Sequence, residues 1–407
     1  MNGPVDRSTG PFGTGPRGEP GKLGCAVVLR PVRTIVSTPM PHAPQVTTNE
    51  RLVALDCLGC GRSHPVGDLT AGCPDCLVRG TPANLRCRYD GDPFGQLPLR
   101  GARTLGEGGT PLFPLPAELA PDGVEVWVKN EAANPTGSHK DRFSWGAVGR
   151  AAAAGCAGVV AASSGNAAVS LAAYAALYGL ECDLAVTTAV PAPIVDAVRA
   201  TGARLHVFED AEQRWDFVRD RAADPGRLAV TNYVRPAVGS SPFGVDAMRP
   251  LGWEVVDGLG RVPEHVLLPT ARGDLAFGAH LGLREAARRH DRPGPRVHLV
   301  EPFPRLSAVR AGASVHDSFP GTATGAPSIG GGSTTVQAQR VLAESGGDPV
   351  VADGAAAAAE RLARHGILLE GASALVLPAL HRLHGSGRIA PGETAVLVAT
   401  AHPFKGL

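Results

Sequence analysis

The chain almost lacks lysine. Of its 39 lysine and arginine residues only four are lysine, at positions 22, 129, 140 and 405, so arginine is the default cation. It also lacks a charge excess: a formal charge of +1 and a pI near 7.7 leave no broad basic field, which argues against nucleic acid or an anionic lipid surface as partner. No apolar run approaches the roughly 18 residues that a membrane helix needs, and the N-terminus has no apolar signal segment. No internal repeat is found. A cytoplasmic protein without a membrane partner is therefore expected.

What is present is enough chain for a core. With 407 residues and 43% hydrophobic content, the sequence can fill two α/β lobes and still carry an appendage. Half of the eight cysteines sit in that appendage, as CLGC (57–60) and CPDC (73–76). Two CxxC turns supply four thiolates to a tetrahedral ion without a large core, so Cys57, Cys60, Cys73 and Cys76 read as ligands of a structural zinc. The competing readings are a pair of disulfides or a metal site lost by drift. Cys25, Cys87, Cys156 and Cys182 are scattered and read as ordinary thiols.

Three compositions follow one another along the chain. Residues 1–47 are dense in Pro, Gly, Ser and Thr, and are expected to be a poorly structured tail or residues ahead of a start at Met40. Residues 48–90 hold the ribbon-like segment. From 91 to 407, β-branched runs alternate with Ala-rich stretches of helical length, the pattern of parallel βαβ units. Strands are expected at 125–130, 158–164, 182–188, 204–208, 265–270, 296–302 and 394–400, and helices at 165–179, 274–290 and 371–384. A smaller lobe is placed near 145–240, with the remainder forming the larger lobe.

In such sheets ligands sit beyond the carboxyl ends of the strands, where loops meet helix N-termini. Three loops there stand out: SSGNAA after 158–164, TARGD after 265–270, and ATAHPFK after 394–400. Each alone is weak, because small residues open helices in many α/β proteins. The lysine sharpens them. Arginine replaces lysine wherever only charge matters, but its guanidinium never loses its proton, whereas a buried lysine amine can become a nucleophile and form an imine. In NPTGSHKDR (134–142), Lys140 follows a turn and opens a helix, and so is the candidate reactive amine.

The stretch VWVKNEAANPTGSHKDR (126–142), with LGEGGTPL (105–112), SSGNAAVSLAAYAALYGL (163–180), LLEGASAL (368–375) and TAHPFK (400–405) in that order, resembles the threonine synthase family of fold-type II pyridoxal phosphate enzymes. The resemblance spans about residue 50 to the end and implies a two-lobed α/β body with parallel twisted sheets, a small amino-acid substrate and a homodimer. It implies that Lys140 carries pyridoxal 5'-phosphate as an imine and then acts as general base and acid. Asn166 reaches the ring hydroxyl, Ser163, Ser164, Gly165 and Asn166 hold the substrate carboxylate, and Thr400 faces the pyridine nitrogen.

Two departures bear on substrate. Where the family pattern holds the cofactor phosphate in a Gly- and Asn-rich loop, this chain has Thr270, Ala271, Arg272, Gly273 and Asp274; SIGGGSTT (328–335) is the glycine-rich competitor, though its order fits a substrate-side loop. Where relatives acting on phosphohomoserine carry a GxKT-like helix start, SSPFGVDAMRPLGWE (240–254) offers Arg249 and Pro250, so Arg249 is the candidate for an anionic substrate group. His139 precedes the lysine and is either a second proton carrier or a packing residue. The expected activity is elimination or replacement at the β or γ carbon of an amino acid, with phosphohomoserine to threonine as parent reaction. Alternatives are a β-replacing synthase using a phosphoserine-like or O-acylated substrate, an ammonia-lyase, and a non-catalytic ligand sensor, which has no need of Lys140.

Overall fold

The computed structural model describes residues 45–405, so the expectation for the first 44 residues lies outside it. Two parallel sheets organise the body. The smaller has four strands, in the order Arg204–Phe208, Glu181–Thr187, Gly158–Ala162, Arg227–Ala229, all parallel. The larger has six, in the order Pro349–Val351, Arg296–Glu301, His265–Pro269, Thr394–Ala399, Glu125–Asn130, Leu112–Pro114, of which only the last pairs antiparallel. Its central strands His265–Pro269 and Thr394–Ala399 are buried at every position, as a sheet covered on both faces requires.

All seven expected strands are present. Three more form at sheet edges: Leu112–Pro114, Arg227–Ala229 and Pro349–Val351, each three residues long. Such short segments carry no period of their own and are strands because a neighbour supplies the hydrogen bonds. The strand after which SSGNAA follows stops at Ala162, which frees Ser163 and Ser164 for the loop.

Residues ahead of the body form a three-stranded antiparallel sheet, Ser63–His64, Leu52–Cys57 and Leu85–Tyr89, with a short helix Pro74–Val78. It packs on the body through buried polar contacts: Tyr89 reaches Asp246, and Asn84 reaches Ser240 and Gln337. Among the described residues no helix is long and apolar enough to cross a membrane.

Candidate active site

The turn that carries the lysine is built by its own polar side chains. Asp141, in the first turn of the helix Lys140–Ala153, accepts from the Thr136 amide at 2.6 Å and the Thr136 hydroxyl at 2.5 Å, and from Ser170 on the helix Asn166–Tyr178 at 2.6 Å. Gly137, at φ +78°, lets the chain reverse, and its amide closes on the Asn134 carbonyl at 2.7 Å. Arg142 lies across Glu131 and Glu254, both at 2.7 Å, so the Asp-Arg pair after the lysine is scaffold. On the other side, Ser138 bridges Ala401, and the His139 amide donates to the Thr400 carbonyl at 2.9 Å. The same carbonyl lies 3.2 Å from His139 Nδ1, which must donate because a carbonyl only accepts. His139 therefore ties the turn to the end of the strand Thr394–Ala399.

Lys140 is half-buried, and its amine has no hydrogen-bond partner among the described residues. Burial lowers its pKa below the ordinary lysine value; Asp274 and Glu370 oppose the shift, and Arg272 adds to it. These charges show what surrounds the amine: the loop at 270–274 on one side and Glu370 on the other. Glu370 in turn accepts from Asn166 at 2.9 Å and from Ser328 at 3.0 Å, and its amide is fastened to the Ala401 carbonyl at 3.0 Å. Glu370, one of the charges that acts on the amine, is thus tied to three further segments.

Two of the loops present unpaired backbone donors. The amides of Ala271, Arg272 and Gly273 have no acceptor among the described residues, and they stand at the N-terminus of the helix Asp274–Arg289. Three free N–H groups at the positive end of a 16-residue helix make an anion site. Ser163 and Ser164 open the second helix: Ser164 Oγ accepts from the Thr187 amide at 2.9 Å and from Arg214 at 3.2 Å, leaving its own amide without an acceptor among the described residues. Gly165 has no neighbour within 4 Å of where a Cβ would stand, so the cleft is open there.

Thr400 lies against the lysine turn through its carbonyl, and its hydroxyl is oriented by Ser373. The Ser373 oxygen accepts from the amides of Thr400 and Ala401, both at 3.0 Å, so its own hydrogen goes to Thr400 Oγ1 at 2.6 Å. The Thr400 hydrogen is left to donate elsewhere.

Arg272 does not run out to solvent. Its guanidinium stacks over Trp215, 5.2 Å from the ring centre, and Nε approaches Ser333 Oγ at 3.4 Å. Burial lowers the pKa of both Arg272 and Arg214; the Arg272 charge lowers that of Arg214 further, while Asp274 opposes the shift at Arg272. Arg214 and Trp215 belong to the helix opening near Gln213, whose sequence carries no turn or motif signal; only the pairing of an arginine with an aromatic hints at it. Glu370 and Ser373 were within reach of sequence reasoning, inside LLEGASAL, but nothing in their spacing says that they face the lysine.

Arg249 is a correction. It is fully buried away from this cleft, bonded to Asp246 at 3.0 Å and Glu285 at 2.9 Å, to the carbonyls of Gln96 and Pro93, and stacked on Tyr89 and Trp253. All five guanidinium hydrogens are committed, so none is left for a substrate. Asp274 also looks away from the cleft: its carboxylate accepts from the Ser240 amide and hydroxyl at 3.1 and 2.7 Å.

The four ribbon cysteines form no disulfide, and their sulfurs all lie within 4.8 Å of one another. The pairs Cys57–Cys76 and Cys60–Cys73 stand 3.6 and 3.8 Å apart. A tetrahedron with metal–sulfur bonds of about 2.3 Å has edges of about 3.8 Å.

Residues 103–401 match the model of the pyridoxal-phosphate dependent enzyme family. Among curated proteins, the threonine synthase of Halalkalibacterium halodurans is 30% identical over 307 residues, 74% of this chain and 84% of the relative. That of Methanosarcina acetivorans is 29% identical over 74% of this chain and 76% of its own. Among solved structures, a fungal L-serine ammonia-lyase from Rhizomucor miehei superposes with a TM-score of 0.62 at 20% identity, covering 72% of this chain and 94% of that one. An O-acetylserine dependent cystathionine beta-synthase from Helicobacter pylori gives 0.60 at 19%, covering 74% and 95%. The lysine turn, the anion loop and these likenesses together place the chain in the pyridoxal-phosphate dependent enzyme family and, within it, in the threonine synthase family.

Proposed function

We propose that this protein catalyses elimination or replacement at the β or γ carbon of an amino acid bearing an anionic leaving group, with O-phosphohomoserine and water to threonine and phosphate as the parent reaction. The observation that carries the reading is the desolvated amine of Lys140, without a hydrogen-bond partner among the described residues, within electrostatic reach of Arg272 and Asp274 in the loop whose amides at 271–273 are also without acceptors there. The donor set fits pyridoxal phosphate: Lys140 for its aldehyde, Ala271, Arg272 and Gly273 for its phosphate, Asn166 for its ring hydroxyl and Thr400 for its ring nitrogen. When bound, that group supplies a carbonyl for the substrate amine and a conjugated ring that stabilises negative charge at the adjacent carbon.

With that group bound, Lys140 would take the proton from the substrate α carbon and return protons to the carbon skeleton; burial, which lowers its pKa, favours the unprotonated amine that this role needs. The Ser164 amide and the first turn of the helix Asn166–Tyr178 hold the substrate carboxylate. Arg214 and Arg272 receive the anionic leaving group. A hydroxyl at Thr400 supports less positive charge on the ring than a carboxylate does, which favours elimination over transamination. The four cysteines hold a structural zinc, a role supported by their sulfur spacing.

The second reading, a β-replacing synthase on a phosphoserine-like or O-acylated amino acid, or an ammonia-lyase, is favoured by the burial of Arg249, the side chain expected to hold phosphohomoserine. A panel of phosphohomoserine, phosphoserine, serine, threonine and acetylated hydroxy amino acids, followed by mass spectrometry, separates the two. Threonine formed from phosphohomoserine supports the parent reaction, and turnover of three-carbon substrates alone defeats it.

A further inference from the structure

The amides of the loop at 270–274 are aimed from behind. In a planar trans peptide the C=O and N–H point in opposite directions, so a donor that pins a carbonyl also fixes the direction of the next amide. The Thr270 carbonyl is held by Arg305 Nη2 at 2.9 Å, which turns the Ala271 amide the other way. The Arg272 carbonyl is held twice, by Thr335 Oγ1 at 2.5 Å and Gln337 Nε2 at 3.1 Å, which turns out the Gly273 amide.

Gln337 is itself set by the ribbon. Its Oε1 accepts from Asn84 Nδ2 at 3.0 Å, so its Nε2 hydrogens are left for the Arg272 carbonyl and for Asp274 Oδ1. Asn84 lies between the two CxxC turns: its carbonyl accepts from Leu58, next to Cys57, while the preceding carbonyl of Ala83 accepts from Cys73, both at 2.9 Å. Its Oδ1 accepts from Leu85 at 2.9 Å, and Nδ2 also reaches the Ser240 carbonyl at 3.0 Å. Asn84 and Gln337 are fully buried, although 253 residues separate them. The node leaves no spare room. A Cβ on Gly239, at φ +114°, would stand 2.6 Å from Gln337 Nε2, 2.8 Å from Asn84 Nδ2 and 3.0 Å from Asp274 Oδ1.

We infer that the cysteine ribbon buttresses the cofactor loop through Asn84 and Gln337, two positioning residues that set cofactor affinity by fixing the backbone donors at 271–273. The inference rests on the proposed cofactor but is tested partly without it. Gln337→Met keeps the side-chain length and removes the donors; Asn84→Asp keeps the shape and removes Nδ2–H. Val341→Ala serves as control, because it opens a cavity one turn along the same helix, Val336–Ser345, while leaving every Asn84 and Gln337 hydrogen bond in place.

Titration of each apoprotein with pyridoxal phosphate, followed by absorbance, is expected to give a Kd raised about tenfold or more by Gln337→Met and by Asn84→Asp, equivalent to roughly 1.4 kcal/mol or more. The double variant should be no worse than the worse single, and Val341→Ala should stay within about twofold of the wild type. Backbone amide NMR shifts of 271–273 in the apoproteins are expected to move in both node variants and to stay unchanged in Val341→Ala, because the direction of these amides changes only when the carbonyls behind them are released. A Kd within twofold of wild type for Gln337→Met and Asn84→Asp, or an equal rise in Val341→Ala, overturns the inference. So do loop amide shifts that are the same in Asn84→Asp as in the wild type, whether or not the cofactor binds. If instead the wild type takes up no cofactor through Lys140, the functional reading fails, and the amide shifts of the apoproteins alone decide the inference.

Discussion

Two desolvated lysines eleven positions apart sit in opposite circumstances. Lys129, near the end of the strand Glu125–Asn130, is fully enclosed, and its ammonium is paired with Glu254 and the Thr110 carbonyl, both at 2.6 Å. Glu254 and Glu131 are shared with Arg142, so the group is a closed network of two cations and two anions. Lys140 is also desolvated but has no hydrogen bond and feels only charges across the cleft. Both lysines escape the bias toward arginine, and for different reasons. A compact ammonium fits the small space beside Thr110, whereas at 140 the proposed role requires an amine that can lose its proton. A buried polar group with every bond made is structure; one left open is poised for a ligand.

Substitution is the most direct way to break the contrast. Lys140→Ala is expected to lower turnover about a thousandfold or more and to abolish the cofactor absorbance band, while the apoprotein keeps its stability in urea, since no bond is lost. A Lys140→Ala protein that keeps its band and turnover overturns the assignment of the amine. Lys129→Met should do the reverse. Leaving Glu254 short of a partner should cost about 3 kcal/mol of unfolding free energy, with the cofactor band retained.

Acid sharpens the comparison at the other end of the large sheet. There His298 accepts from the Asp348 amide at 3.1 Å, donates to His265 at 3.0 Å, and His265 donates to Glu393 at 3.0 Å. Burial lowers both histidine pKa values, that of His298 to about 3. A base depressed in the folded state contributes stability that is complete above its unfolded pKa of about 6.5 and is lost as pH falls toward the folded value. Unfolding free energy should therefore drop by about 2 kcal/mol between pH 7 and 5, and His298→Gln should flatten that slope. An unchanged slope would assign the acid loss to other groups. The smallest effect is expected from Ser373→Ala, which frees Thr400 Oγ1 from its donor: a shift of the cofactor band with turnover reduced by a few fold, about 1 kcal/mol, and no change in substrate KM.

How much of this was legible in the sequence depends on whether the cause was local. The long strands and the helices opening at 140, 166 and 274 follow from apolar runs and their turns, and all were readable. The three edge strands at 112–114, 227–229 and 349–351 were not, because their only support is the neighbouring strand. Arg249 was misplaced for a related reason: an arginine at a helix start looks the same whether it faces a cleft or, as here, the carboxylates of Asp246 and Glu285. Arg214, with no motif around it, enters the site only because its helix packs across from Arg272.

The sequence by itself determined the α/β class, the candidate lysine turn and the four-cysteine ribbon, since each depends on residue types at short, fixed spacings. Only the tertiary structure decided which arginines reach the cleft, that Ser373 turns the Thr400 hydroxyl, and that Asn84 stands behind a loop nearly 190 positions away. Those outcomes hang on hydrogen bonds between distant segments, and direction, unlike composition, exists only once the chain has folded.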